Sequence, residues 1–106
     1  MTRTLITAPR TARRGEVIEI RALIAHAMET GLRVDAEGRK LPRDIIHRFT
    51  CRDGDELVFS AELFTAVATN PYLAFSIVAM TTGTLTLTWE GDNGFAHTET
   101  LALTVT

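Results

Sequence analysis

The feature that most constrains the fold is an alternation of apolar and polar residues with a period of two. In TLTLTWE (84–90), leucine and tryptophan side chains alternate with threonines. EVIEIRALI (16–24) and ELVFSAEL (56–63) contain the same pattern, with charged residues in one phase. Because successive side chains of a strand point to opposite faces, these segments are predicted to be half-buried antiparallel strands.

This pattern predicts seven strands, near residues 3–8, 16–25, 45–52, 56–64, 71–80, 84–90 and 95–105. Turn residues separate most of them, for example Asp53-Gly54-Asp55 and the segment EGDNG (90–94). We therefore predict an all-β fold, an immunoglobulin-like β-sandwich of about seven antiparallel strands. A chain of 106 residues is expected to form a single domain, here residues 1–106.

Charge and hydropathy exclude several partners. The net charge of −2 gives no general attraction to nucleic acid or to anionic lipid. No apolar run approaches the roughly 18 residues expected of a membrane helix. Arg13 and Arg14 are similar to a twin-arginine export signal, but Glu16, Glu19 and Arg21 interrupt the segment that follows them. We expect no contact with nucleic acid or membrane, and no export signal in this sequence.

Two connections break the strand pattern. Residues 27–44 form a long charged loop, and residues 64–72 have room for a short helical turn before Pro71. The first loop begins in HAMETGLR (26–33), where Gly31 is a candidate for positive φ. His26 and Met28 are interpreted as residues that pack the end of a strand.

The sequence contains no pattern typical of catalysis. It has no GxSxG segment and no phosphate-binding glycine loop. Cys51 lies within a predicted strand in phase with Phe49, which favours burial and an unreactive thiol. Asp53 and Asp55 are explained as turn residues. We expect no catalytic residues, no cofactor and no bound metal.

One predicted strand has more apolar surface than a two-layer sandwich can cover. In YLAFSIVAM (72–80), the odd-numbered residues Leu73, Phe75 and Ile77 suit an inward phase. The opposite phase should be polar, but it is largely apolar. Large exposed apolar patches are uncommon on monomers, so we predict that these residues bind a partner: Tyr72, Ala74, Val78 and Met80.

Several stretches together resemble the SoxZ family of bacterial thiosulfate oxidation. They are RRGEVIEIRALIAHAMETGLR, DAEGRKLPRDIIHRFTC, VFSAEL and NPYLAFSIVA. The resemblance runs from about Pro9 to Trp89, and its most specific part is the segment from His26 to Arg33. The family typically has proline after this histidine, whereas this chain has Ala27. That difference affects the shape of the turn and removes no functional group.

The resemblance implies a non-catalytic subunit that pairs with a SoxY-like protein as a heterodimer. SoxY carries sulfur intermediates on a cysteine at the end of a glycine-rich arm, whereas this sequence ends in TLALTVT. Family members of this kind reach the periplasm with a partner that supplies the export signal. Other Sox enzymes would visit the complex transiently. A role in positioning the arm or docking these enzymes is assigned to the 27–44 loop through Glu29, Thr30, Gly31, Arg33, Arg39 and Lys40.

Two alternatives remain open at this stage. One is a soft-metal protein that binds copper through His26, Met28 and Cys51. The other is a generic sandwich module that self-associates through its apolar strand.

Overall fold

A computed structural model describes residues 2–106 as two β-sheets packed face to face. Within this range the chain forms eight strands: β1 (Thr4–Thr7), β2 (Thr11–Ala12), β3 (Val17–Ile24), β4 (Ile46–Asp53), β5 (Glu56–Glu62), β6 (Tyr72–Val78), β7 (Gly83–Gly91) and β8 (Ala96–Val105). The small sheet has the order β1-β3-β6, and the large sheet has the order β2-β8-β7-β4-β5. The predicted all-β sandwich is confirmed.

All seven predicted strands are present, and β2 is an addition. Its two residues pair in parallel with Thr104 and Val105 at the end of β8, whereas every other strand pair is antiparallel. The 64–72 connection contains a turn in which the Val67 N–H donates to the Phe64 carbonyl at 3.0 Å. None of the described residues forms a helix of the length and apolarity required to cross a bilayer.

The core lies between the two sheets and is centred on aromatic side chains. The Phe49 ring of β4 packs against Trp89 of β7 at 5.1 Å and against Phe75 of β6 at 5.6 Å. Phe75 also stacks on Phe59 of β5 at 4.3 Å between ring centroids. These contacts join the sheets near the side of the sandwich where β5 and β6 are the edge strands. Each buried aromatic side chain contributes roughly 1.5–3 kcal/mol to folding.

Candidate partner-docking surface

The outward phase of β6 is exposed and apolar. Phe75, Ile77 and Ala79 are buried, as the predicted inward phase requires. Tyr72, Val78 and Met80 keep 56%, 50% and 46% of their surface exposed, and Ala74 is also exposed. The predicted partner-binding residues therefore lie together on one side of the strand, although their binding role stays a prediction.

This apolar surface extends across the small sheet. The register places Val17 opposite Val78 at one end, and both residues are at least half exposed. At the other end a row crosses all three strands through Leu5, Leu23 and Tyr72. We call the outward side of this sheet the small-sheet outer face; its apolar residues are Leu5, Val17, Leu23, Tyr72, Ala74 and Val78. Sequence alternation indicated the β6 part, whereas the rest depends on strand order.

The middle of the small-sheet outer face is polar. Arg21 and Glu19, two residues apart on β3, form an ion pair at 2.6 Å. Ser76 of β6 lies opposite Glu19 in the register. Both charged side chains are more than half exposed, so this pair contributes little stability and remains free to pair with charges on another chain. The small-sheet outer face therefore has an apolar region at each end and a polar region between them.

A groove opens beside this face, between the edge strands β5 and β6. Its volume is about 590 Å³. The apolar part of its lining includes Leu57, Val58, Val78 and Met80, and two carboxylates, Asp53 and Glu56, lie on its β5 side. We call this feature the edge groove. Sequence reasoning missed it because it forms between strands that do not pair with each other.

The 27–44 loop is irregular but held at its base. Glu29 and Asp44 exchange two backbone hydrogen bonds, at 2.9 and 2.8 Å. Gly31 has a φ of +82°, as expected, and a β-carbon at this position would lie 3.1 Å from the Arg43 side chain. Glycine is therefore required here both for its conformation and for the close approach of the two loop arms.

The predicted docking residues lie along the two arms of this loop. Glu29 and Thr30 are partly buried at the base, where Arg33 forms an ion pair with Glu29 that lowers the pKa of that carboxyl group. Arg39 and Lys40 are exposed on the returning arm, and the backbone of Lys40 forms an isolated antiparallel β-bridge with that of Val34. The structure thus joins Glu29 to Arg33 but leaves the two basic residues of the second arm without a described ion pair.

Two exposed apolar residues on this loop were not singled out from the sequence. Leu32 keeps 77% of its surface exposed, and Val34 is also exposed. Their signal was available, since both interrupt an otherwise polar segment next to basic residues. The loop thus carries exposed apolar side chains next to basic residues in the sequence, a combination that suits transient docking.

Asp92 anchors the far end of the same loop. Its carboxylate accepts two hydrogen bonds from the Arg43 guanidinium, both at 2.8 Å, and one from the Ile45 N–H at 3.1 Å. The hydrogen bonds from Arg43 are the main cause that lowers the pKa of Asp92; burial opposes them, and the Ile45 N–H adds a smaller lowering effect. Sequence reasoning assigned this residue only to a turn, because its partners are 47 and 49 residues away.

His26 and Met28 have structural roles. The Met28 side chain is buried, its backbone has a φ of +55°, and its Sδ accepts a hydrogen bond from the Ile46 N–H at 3.2 Å. The His26 Nδ1 accepts the Met28 N–H at 3.0 Å, and the ring lies edge-on to Phe95. The Met28 Sδ and the His26 Nδ1 thus both have backbone partners, whereas the His26 Nε2 lies 4.0 Å from the Asp44 carboxylate. Across residues 2–106, no three His, Cys, Asp or Glu side chains come together as a metal site would require.

Cys51 is buried in the middle of β4. Burial, reinforced by the nearby negative charge of Asp53, raises the pKa of its thiol to about 11. A thiol becomes a nucleophile only as the thiolate, so we expect Cys51 to be unreactive at neutral pH. The expected burial of this residue is confirmed.

Comparison with known proteins identifies one family and one fold. The family model described as "Sulphur oxidation protein SoxZ" matches residues 6–102 of the chain. A search of curated proteins finds no match.

Solved structures of other proteins are similar in fold. A superoxide reductase (neelaredoxin) from Ignicoccus hospitalis is 11% identical, with a TM-score of 0.73 over 97% of this chain and 80% of that one. The sulfur carrier protein SoxY from Chlorobium limicola f thiosulfatophilum is 13% identical, with a TM-score of 0.67 over 97% of this chain and 78% of that one. At these identities the similarity establishes the two-layer fold and nothing about chemistry.

Proposed function

Because the chain belongs to the SoxZ family of sulfur-oxidation proteins, we propose that it is the non-catalytic scaffold subunit of a sulfur-carrier heterodimer. In this proposal the second subunit is a SoxY-like protein, whose C-terminal arm cysteine carries the intermediates of thiosulfate oxidation. The structure named as the sulfur carrier protein SoxY has the same fold, which supports a pair built from two related sandwiches.

The observation that carries this proposal is the burial of Cys51, the one cysteine in the sequence. A sulfur carrier must present an accessible thiolate to the enzymes that load and unload it. Cys51 has neither property, because its side chain has no exposed surface and the pKa of its thiol is raised to about 11. We therefore assign the sulfur chemistry to the partner and a binding role to this chain.

The small-sheet outer face is the proposed pairing surface. Tyr72 and Ala74 before Ser76, and Val78 and Met80 after it, are its exposed apolar residues along β6 and just beyond that strand. Tyrosine and methionine are enriched in protein interfaces, and covering a half-exposed apolar side chain contributes about 1 kcal/mol. When the partner is missing, the same face is expected to cause self-association of the isolated chain.

The 27–44 loop is the proposed contact for visiting Sox enzymes. The loop offers exposed basic residues, Arg33, Arg39 and Lys40, and the exposed apolar Leu32. Glu29, Thr30 and Gly31 form the base that sets the direction of the loop. Charges at the margin of an interface accelerate encounter more than they increase affinity, which fits short-lived contacts with several enzymes. The proposed location is the periplasm, reached together with a partner that bears the export signal.

Co-expression with the SoxY-like subunit encoded in the same genome tests the proposal. The two chains should co-elute at one-to-one stoichiometry. After the purified complex has reacted with the loading enzymes and thiosulfate, mass spectrometry should find sulfur adducts on the partner's arm cysteine. A complex made with Cys51→Ala should load to the same extent, since that thiol takes no part.

Two results would contradict the proposal. One is the absence of a stable complex when both chains are folded. The other is a sulfur adduct on Cys51 together with loss of loading in the Cys51→Ala complex.

A further inference from the structure

The edges of the two sheets differ in how well they are protected against pairing with another strand. Within residues 2–106, the edge strands are β1 and β6 in the small sheet and β2 and β5 in the large sheet. β1 and β2 have only four and two residues. β5 has seven residues, but it has a glutamate at each end and its pairing with β4 is interrupted by a register shift. Short length, charge and irregularity are the usual protections of a free edge.

β6 has none of these protections. Its sequence, YLAFSIV, contains no charged residue, no proline and no glycine, and its pairing with β3 is regular over all seven residues. An uncharged edge strand with regular pairing offers a template for another strand. β6 is therefore the edge strand that is least protected against pairing with a strand of another chain.

The ladder with β3 indicates which backbone groups are free. The Pro71 carbonyl accepts a hydrogen bond from the Ile24 N–H at 3.2 Å. At the other end, the Ala79 N–H donates to the Glu16 carbonyl at 2.8 Å. Alternate residues of an antiparallel strand bond to the same neighbour, so the odd-numbered residues of β6 face β3. The residues that direct N–H and C=O groups to the open edge are Tyr72, Ala74, Ser76 and Val78.

The edge groove lies beside the second half of this row, since Ser76 and Val78 both line it. A strand added beside β6 would place alternate side chains over the groove, against apolar groups such as Leu57 and Met80. Asp53 at the end of β4 and Glu56 at the start of β5 would face the same strand. A fitting strand therefore has apolar side chains in one phase and a lysine or arginine where it passes the two carboxylates.

The charge of the groove distinguishes between two sources of such a strand. A second copy of this chain would offer its own β6, which contains no basic residue to pair with Asp53 and Glu56. A different polypeptide with a basic edge strand satisfies both the backbone and the carboxylates. A protein with a two-layer sandwich fold, such as the SoxY structure, has edge strands of its own to offer.

We propose that the open edge of β6 binds an edge strand of the partner subunit by β-sheet extension, with a basic side chain of that strand at Asp53 and Glu56. The identity of that partner rests on the proposed function above. The small sheet would thus continue into the partner, and the small-sheet outer face would be covered by the structure that follows the added strand.

Amide hydrogen exchange, followed by NMR on the full chain, tests the backbone part of this proposal. In the free chain the amides of Ala74, Ser76 and Val78 should exchange rapidly, while those of Phe75 and Ile77 should already be protected. Addition of the SoxY-like subunit should slow the even-numbered amides by at least about tenfold, because each gains a ladder hydrogen bond. Even-numbered amides that remain fast in a saturated complex would overturn the proposal.

Two substitutions test it independently. Ser76→Pro removes one outward N–H without removing a bond to β3, and proline is tolerated at such edge positions. We expect it to weaken binding of the SoxY-like subunit about tenfold or more, whereas Ser76→Ala, which keeps the N–H, should bind normally. If Ser76→Pro fails to fold, the exposed Glu56→Lys variant replaces it, since charge reversal at the groove should also weaken binding.

The outcomes distinguish strand addition at β6 from the proposed formation of a heterodimer. Normal binding by folded Ser76→Pro or, where that variant does not fold, by Glu56→Lys would overturn strand addition while leaving the heterodimer intact. Absence of binding by the wild-type chain would instead overturn the proposed function. If the wild-type chain sediments as a dimer that Ser76→Pro abolishes and that an excess of the SoxY-like subunit does not dissociate, the occupant of the edge is a second copy and the proposal is overturned.

Discussion

Both sheets turn one face toward the core and the other away from it, but the side chains on the two outward faces differ. On the large sheet, threonines of β7 lie opposite threonines of β8, for example Thr88 opposite Thr98 and Thr86 opposite Thr100. On the small-sheet outer face, the corresponding rows are Val17 with Val78 and Leu23 with Tyr72. Threonine satisfies the β-sheet preference for branched side chains and still presents a hydroxyl group to water.

The difference between the two outward faces indicates which of them is suited to permanent contact with water. Among residues 2–106, no large hydrophobic residue of β7 or β8 is exposed, whereas the small sheet exposes Leu5, Val17, Tyr72 and Val78. Nothing in strand geometry requires this, because both faces have the same pleat and period. The proposed association with another chain would account for the apolar face, and contact with solvent would account for the threonine face.

The largest expected effect is a difference in the free energy of unfolding between substitutions on the inward phase and on the outward phase of β6. Phe75→Ala removes a buried ring that packs on Phe49 and Phe59, so it should lower the free energy of unfolding by about 3–5 kcal/mol. Tyr72→Ala, three residues earlier on the exposed phase, should change it by less than about 1 kcal/mol. Urea denaturation of the isolated chain measures both. Equal losses would mean that the outward phase is also packed within the chain.

The second expectation concerns the thiol on the inner side of the large sheet. With its pKa raised from 9.0 to about 11, Cys51 should have about 100-fold less thiolate at pH 8 than an ordinary cysteine. Alkylation by iodoacetamide under native conditions should be slower by at least that factor, and unfolding in urea should restore the ordinary rate. Rapid labelling of the native chain would contradict the burial.

The same shift determines a pH dependence of stability. Because the folded pKa of Cys51 is higher than the unfolded value of 9.0, its contribution is fully present below pH 9. That contribution is lost as the pH rises from 9 toward 11, since the unfolded chain ionises first. Cys51→Ala should remove this part of the alkaline decline, and a decline of unchanged size in that variant would assign it to other groups.

A smaller effect on stability is expected where the 27–44 loop is anchored, away from the small-sheet outer face. Asp92→Asn weakens the contact with Arg43 and should lower the free energy of unfolding by about 1 kcal/mol at pH 7. Since the folded pKa of Asp92 is below its ordinary value of 3.8, the difference from wild type should shrink as the pH falls through and below 3.8. Pairing with the SoxY-like subunit should be unchanged, because this anchor belongs to the loop. Loss of pairing would indicate that the partner binds at the loop end of the sandwich instead.

The smallest expected effect lies on the threonine face. Thr98→Val removes one hydroxyl from a pair of exposed threonines at 3.2 Å and should change the free energy of unfolding by no more than about 0.5 kcal/mol. Binding of the SoxY-like subunit, measured by calorimetry, should be unaffected. A change in affinity would show that the partner also contacts the large sheet.

Local patterns were sufficient to predict the strands and the phase of β6, because alternation is a property of neighbouring residues. β2 was not predicted, since two residues cannot show alternation and its pairing with β8 joins distant parts of the chain. Met28 and Asn70 adopt positive φ without being glycine, each within contacts made by distant residues. The edge groove likewise depends on strand order. Alternation therefore predicted the elements and one apolar strand, while the full surface required the three-dimensional fold.

The most direct test of the central claim compares matched aspartate substitutions on the two outward faces. Val78→Asp lies on the small-sheet outer face, and Thr100→Asp lies on the threonine face, each at an exposed strand position. Titration calorimetry should give a Kd for the SoxY-like subunit that rises about 30-fold or more for Val78→Asp, as expected for a desolvated interface residue, and does not change for Thr100→Asp. Normal binding by folded Val78→Asp, or equal losses from both substitutions, would contradict the claim that the partner covers the small-sheet outer face.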